Sequence, residues 1–237
     1  MWRRAKNILT MTKLGLLGKG IQHSKSKSMY EGLLEREVDY HLFDYENNAE
    51  IPPLPEFFKS VEGLSITAPY KEHFLAEVEI SPEVRKLQAI NCIRKTSNDF
   101  EATNTDYLAC QKIIDSLQIS NEVNIFILGR GAMARVLSQC FDEKNLNYKI
   151  LHRDNTDFSN LDFTVISADK KYLIINCCAR EYSFNGKIDD QLFLFWDLNY
   201  SVQISEDSPL FNNKLYWDGL ELLKEQAAFA LKFWNIK

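Results

Sequence analysis

The stretch Val123-Asn-Ile-Phe-Ile-Leu128 runs directly into Gly129-Arg-Gly-Ala-Met-Ala134, and a helical pattern continues to Phe141. A mostly apolar run this short reads as a strand buried on both faces. Gly-x-Gly-x-x-Ala between such a strand and a helix is the sharp turn of a parallel βα unit. Gly129 permits the turn. Gly131 lets backbone N–H groups approach a pyrophosphate at the helix N-terminus, and Ala134 allows close helix–strand contact. The next strand, Tyr148-Lys-Ile-Leu151, ends at His152-Arg153-Asp154, with Arg153 24 residues past Gly129. At that distance a dinucleotide site reads the adenosine ribose. Arg153 suits a 2′-phosphate and stacking on adenine, which favours NADP. Asp154 suits a free 2′-hydroxyl, which favours NAD, and repels a phosphate. Without a ligand, the same residues read as a glycine-rich turn and solvated loop charges.

The rest of the chain alternates in the same way. Lys13–Gly18, Val38–Asp44, Leu64–Thr67 and Ala89–Lys95 read as strands in the first half, with helices at Ser26–Leu34 and Glu56–Ser60. A helix capped at Thr105 or Asp106 runs to Leu117. Tyr172–Ile175 and Leu192–Trp196 read as buried strands, and Asp218–Trp234 as a terminal helix. Alternation of this kind predicts an α/β protein with largely parallel, wound sheets. A boundary near Asp106 divides it into two domains.

Length and charge narrow the function class. The 237 residues suffice for one large core or two modest ones. A net charge of -5 does not favour broad nucleic-acid binding, and no apolar run approaches the ~20 residues of a membrane span. Five cysteines, odd in number and with no C-x-x-C pair, argue against a disulfide framework and for a reducing, cytoplasmic setting. The four histidines are scattered, so no metal site is expected. The basic start, Met1-Trp-Arg-Arg-Ala-Lys, is followed by an apolar stretch too short for a signal peptide. It reads as an upstream-start extension or a loose arm.

Ser65-Ile-Thr-Ala-Pro-Tyr-Lys71 delivers a lysine just past a strand end, on a turn stiffened by Pro69. Strand ends are where open α/β sheets hold substrates, and lysine lends itself to proton transfer. The alternative is an exposed lysine opening a helix over Tyr70–Ala76.

Several segments, in order, resemble one family, the shikimate dehydrogenases, over most of residues 13–237. Gly18-Lys-Gly-Ile-Gln-His-Ser24-Lys-Ser26 is similar to G-x-P-I-x-H-S-x-S, and Ser65-Ile-Thr67-Ala-Pro69-Tyr-Lys71 to N-V-T-x-P-x-K. Ala89-Ile-Asn91 resembles A-V-N, and Asn104-Thr105-Asp106 is N-T-D. The glycine loop, His152-Arg153, Asp197-Leu-Asn-Tyr200 and the Gly219–Gln226 helix follow in their places. The resemblance implies an N-terminal α/β substrate-binding domain (residues 1–105, with a C-terminal helix, 218–237, returning to it) and a Rossmann-type dinucleotide-binding domain (106–217). It implies reversible reduction of 3-dehydroshikimate to shikimate with NADP as cofactor, in a monomer or homodimer. Lys71 and Asp106 become the acid/base pair. Ser24, Ser26 and Tyr200 bind the substrate carboxylate, and Thr67, Asn91, Asp106 and Gln226 its hydroxyls. Cofactor contacts fall to Gly129, Gly131, Ala132, Arg153, Asp154, Asn176 and Gly219.

The chain departs from the family pattern at specific points. Ser65 stands in place of asparagine, Lys27 and Tyr30 in place of proline and histidine, and Tyr107 in place of a glycine whose loss would crowd the pocket. Cys177-Cys178-Ala-Arg180 replaces the usual loop beside the cofactor, and Glu221-Leu222 a Gly-Met pair. These departures motivate two further readings: a quinate/shikimate dehydrogenase using NAD, and a non-catalytic ligand-binding homologue.

Overall fold

A computed structural model of the chain describes residues 11–158, 160–167 and 170–237. The arm proposed for residues 1–10 lies outside them. The chain divides into two compact units. One takes the residues up to Thr105 together with Ala227–Lys237; the other is Asp106–Gln226. The sequence reading had placed the second division at 217/218.

In the first unit, β1 (Lys13–Gly18), α1 (Ser26–Leu34), β2 (Asp39–Asp44), α2 (Leu54–Phe57) and β3 (Gly63–Ile66) form a βαβαβ series. A short helix α3 (Pro82–Leu87) and a hairpin of β4 (Cys92–Lys95) and β5 (Phe100–Thr103) follow. The sheet order is β2-β1-β3-β4-β5. β1 runs parallel to both β2 and β3, while β3–β4 and β4–β5 are antiparallel. The sheet is therefore mixed rather than wholly parallel. The β5 strand escaped the sequence reading because Phe100-Glu-Ala-Thr has no apolar run. It is held by its register on β4 and by an Arg94–Glu101 ion pair.

A core of Leu17, Phe57, Leu64, Phe74 and Ile93 forms one cluster of this unit; Leu14, Tyr30, Cys92 and Trp234 belong to another. The helix expected over Tyr70–Ala76 is absent. Residues 70–77 form separate i→i+3 turns, such as His73 N–H to Tyr70 C=O and Glu77 N–H to Phe74 C=O. Tyr70 and Phe74 are both buried, and the Tyr70 hydroxyl donates to the Tyr45 carbonyl at 2.6 Å.

The second unit begins within α4 (Thr105–Leu117) and continues through β6 (Asn124–Leu128), α5 (Ala132–Glu143), β7 (Tyr148–Leu151), a turn of helix α6 (Phe163–Ile166), β8 (Tyr172–Asn176), β9 (Leu192–Asp197) and β10 (Tyr216–Trp217). α7 (Leu220–Trp234) starts in this unit and ends in the first. The sheet order is β10-β9-β8-β6-β7, parallel throughout. Its central strands are buried along nearly their whole length, as a sheet covered on both faces requires. Phe126, Phe163, Tyr172, Ile174 and Phe195 fill its core. Strand order reverses between β6 and β8, the point at which sheets of this type bind ligands beyond their carboxyl ends.

Candidate active site

In the first unit the order reverses between β1 and β3, so the chain segments leaving Gly18 and Ile66 are neighbours at the carboxyl end of the sheet, where such sheets bind ligands. Their approach is close: a Cβ on Gly18 would lie 2.5 Å from the Thr67 Cγ2, and Thr67 N–H donates to Leu17 C=O at 2.8 Å. The first segment carries Ser24 and Ser26, whose hydroxyls are 3.1 Å apart. The Ser24 Oγ also accepts the Ser26 N–H at 3.2 Å. Lys25, at the N-cap of α1, offers no side-chain cap, and the Ser24 hydroxyl serves the first N–H of the helix instead.

The second segment carries Thr67 and then Lys71, past a cis Ala68–Pro69 bond. The Lys71 carbonyl accepts from Ile90 N–H at 2.8 Å, which fixes the lysine backbone beside Asn91. Asn91 is buried, and its amide embraces Thr105. Its Oδ1 accepts the Thr105 N–H at 2.7 Å, and its Nδ2 donates to Thr105 Oγ1 at 3.1 Å. The sequence had offered substrate binding or a satisfied sheet edge for Asn91. The structure adds a third task, anchoring the first residue of α4, immediately before Asp106.

Two of the departures from the family pattern meet. The buried Tyr30 hydroxyl lies 3.0 Å from Ser65 Oγ. Its ring packs against Tyr40 and Trp234, and burial raises the phenol's pKa well above its ordinary value. Nothing in the sequence pattern of either residue signals this pairing.

In the second unit Gln226 Nε2 donates to Asp106 Oδ1, joining two residues expected at the substrate. Tyr107 turns its hydroxyl toward α5. Its hydroxyl donates to the Glu143 carboxylate (2.6 Å to Oε2) at the end of α5 and accepts from Gln111 Nε2. Tyr200 lies under the Arg180 guanidinium, 5.3 Å from ring centroid to Cζ.

A cleft of about 730 Å³ opens at the reversal point between β6 and β8. Gly129, Gly131, His152, Arg153, Asp154, Cys177, Cys178 and Tyr182 are among its lining residues. Gly129 adopts φ +102°, and a Cβ there would press on the Cys177 carbonyl at 3.2 Å. A Cβ on Gly131 would meet nothing within 4 Å. Backbone at Gly131 is thus accessible, at the start of an α5 helix whose first N–H groups have no side-chain cap. That is the cradle a pyrophosphate requires. Arg153 has no ion pair among the described residues, whereas Asp154 pairs with Arg130 of the glycine loop.

Not every expected cofactor residue lines this cleft. Ala132 is the first residue of α5, and what it offers a pyrophosphate is a backbone N–H at the uncapped helix start. Asn176 is fully buried: it donates to Asp197 at 3.1 Å and accepts from Cys178 N–H, so it shapes the loop from beneath. Gly219 lies against the Leu198 carbonyl, 2.2 Å from where its Cβ would be, and serves close backbone packing. Asp197 collects donors from Asn176, Asn199 and Tyr216, yet burial still raises its pKa above the ordinary carboxylate value. Sequence reading had singled out Asp197 only as part of D-x-x-Y. A second depression of about 780 Å³, lined by Lys112, Trp217, Glu221 and Glu225, holds none of the expected site residues.

Residues 16–93 match the shikimate dehydrogenase substrate binding domain. A shikimate dehydrogenase (NADP(+)) of Clostridium perfringens is 31% identical over 260 residues, covering 95% of this chain and 93% of that protein. One from Prochlorococcus marinus is 32% identical, over 94% of this chain and 91% of its own. A relative from Caldicellulosiruptor saccharolyticus matches at 34% over a shorter stretch, 53% of this chain and 48% of that protein. Among solved structures, the shikimate 5-dehydrogenase of Thermus thermophilus in complex with NADP(H) and shikimate shares the fold, with a TM-score of 0.75 at 20% identity over 94% of this chain and 93% of that one. By its sequence over nearly its full length, and by its fold, the chain belongs to the shikimate dehydrogenase family.

Proposed function

We propose that this chain is an NADP-dependent shikimate dehydrogenase, reversibly reducing 3-dehydroshikimate. The observation that carries the reading is full-length similarity to relatives bearing that name, joined to a glycine-loop cleft of the right chemistry. When bound, NADPH supplies a hydride to the ring carbonyl carbon. The chain's own residues hold the ring and deliver the proton. Lys71 donates it to the developing alkoxide, with Asp106 as its partner in acid/base chemistry. The Ser24–Ser26 hydroxyl pair and Tyr200 bind the carboxylate; Thr67, Asn91, Asp106 and Gln226 bind ring hydroxyls. The Gln226–Asp106 bond supports the last two of these roles, and the Asn91–Thr105 anchor supports a fixed position for the start of α4.

The Gly129–Ala134 turn takes the pyrophosphate, and Arg153 takes the 2′-phosphate. The setting is a reducing cytoplasm, consistent with five free cysteines and with no helix long and apolar enough to cross a membrane among the described residues. The test is nicotinamide absorbance at 340 nm (roughly the reduced-ring band) after mixing protein with shikimate or quinate and NADP or NAD. Turnover that is fastest with shikimate and NADP is expected. Preference for NAD or for quinate would overturn the corresponding half of the assignment, and no turnover with any pair would overturn the enzyme itself.

A further inference from the structure

An acidic side chain just past the second strand of a dinucleotide fold ordinarily selects a free 2′-hydroxyl and repels a 2′-phosphate. Asp154 is such a residue, three positions beyond the end of β7. Left unpaired, it would oppose the NADP reading.

The structure shows what becomes of its charge. Arg130 Nη1 is paired with Asp154 Oδ2 across the mouth of the cleft. The His152 Nδ1 lies 3.7 Å from the same carboxylate oxygen and accepts the Asp154 N–H at 3.3 Å. The turn holding Asp154 is itself pinned, with Asn155 Oδ1 accepting the His152 N–H at 2.8 Å and Asn155 Nδ2 donating to Ile150 C=O at 3.0 Å. Arg130 occupies the variable second position of Gly-x-Gly-x-x-Ala, where the turn needs no particular side chain. Its side chain and that of Asp154 are 67% and 60% exposed, so the pair adds little to stability. Both also line the cleft beside Arg153.

We infer that Arg130 is a specificity-determining residue of the adenosine subsite: it neutralises Asp154 and sets a second guanidinium next to Arg153, so that the subsite takes a 2′-phosphate. The inference rests on the NADP reading and names the residue that makes a chain with Asp154 compatible with it. Glu181, the other carboxylate lining the cleft, has no such partner among the described residues and does not share the pinned turn. A guanidinium suits the role because its fork can hold a carboxylate and a phosphate oxygen together.

Calorimetric binding of adenosine 2′,5′-bisphosphate and adenosine 5′-monophosphate to the whole protein tests this without turnover. For Arg130→Ala, affinity for the bisphosphate should fall about tenfold, and that for the monophosphate less than about twofold. Adding Asp154→Asn to that variant should restore most of the lost discrimination, because the unmasked carboxylate is gone. Equal weakening of both ligands, or a double variant with no recovery, would overturn the inference while leaving the NADP reading standing. A parent protein that binds the bisphosphate no better than the monophosphate would overturn both.

Discussion

Tyr30 and Ser65 illustrate how one site can change at two positions that are distant in sequence. Their hydroxyls meet at 3.0 Å inside a packed face, with the Trp234 ring 5.6 Å from that of Tyr30. Removing the phenol oxygen with Tyr30→Phe leaves the ring packing intact and costs about 1 kcal/mol, the worth of one buried hydrogen bond. Urea unfolding measures it; an unchanged midpoint would mean that Ser65 finds an equivalent partner. Cys178 is a second case in which environment decides chemistry. Burial pushes its thiol up to about 11, with the nearby Arg153 charge only partly offsetting this. The thiol is therefore neutral below that pH, and the reactive thiolate appears only as pH rises through it. At pH 8 an ordinary thiol is roughly a quarter ionised, so alkylation of Cys178 should be slower on the order of a hundredfold. Mass spectrometry after timed iodoacetamide exposure reads this directly, and modification at the rate of free cysteine would contradict it. The sequence marks Cys177 and Cys178 as a departure but carries no sign of the burial that raises their thiol pKa values.

Elements show where sequence patterns suffice and where they fail. β6 and α5 were legible because a buried parallel strand, a glycine turn and an amphipathic helix each leave a local signature. β5 was not, because an edge strand of Phe100-Glu-Ala-Thr103 depends on pairing with β4 rather than on its own apolarity. Tyr70–Ala76 misled in the other direction: helical spacing was present, but the backbone closes separate i→i+3 turns there. The end of α7 is locked to the first unit's sheet through Phe233, whose carbonyl accepts from Arg94 Nη1 at 2.6 Å, and through Trp234. Trp234 Nε1 donates to Ile93 C=O at 2.8 Å, and its ring lies where a Cβ on Gly63 would sit, 2.3 Å away. Gly63→Ala should therefore destabilise the protein by about 1–3 kcal/mol through overpacking, although alanine is the better strand residue by propensity. Thermal unfolding followed by tryptophan fluorescence checks this, and a neutral result would mean that the indole moves aside freely.

At the scale of the molecule, two sheets each reverse strand order once, and the sequence-expected residues gather by unit: Ser24, Ser26, Thr67, Lys71 and Asn91 in one, and the glycine loop, Arg153, Asp154, Asp106 and Gln226 in the other. The twofold α/β repetition was legible from alternating patterns. The ordered motifs carried the functional reading, because no single fragment of three or four residues specifies a reaction. The burial of Asn176 and the backbone contact at Gly219 were not legible, because neither leaves a mark on residue type alone. In the proposed reaction Lys71 gives and takes the proton at the ring oxygen of shikimate. The steady-state kcat of Lys71→Ala with shikimate and NADP is the measurement that bears on this role. A loss of at least about tenfold, that is ~1.4 kcal/mol or more of transition-state stabilisation, is expected in a variant that still binds NADP. A variant turning over as fast as the parent would contradict it.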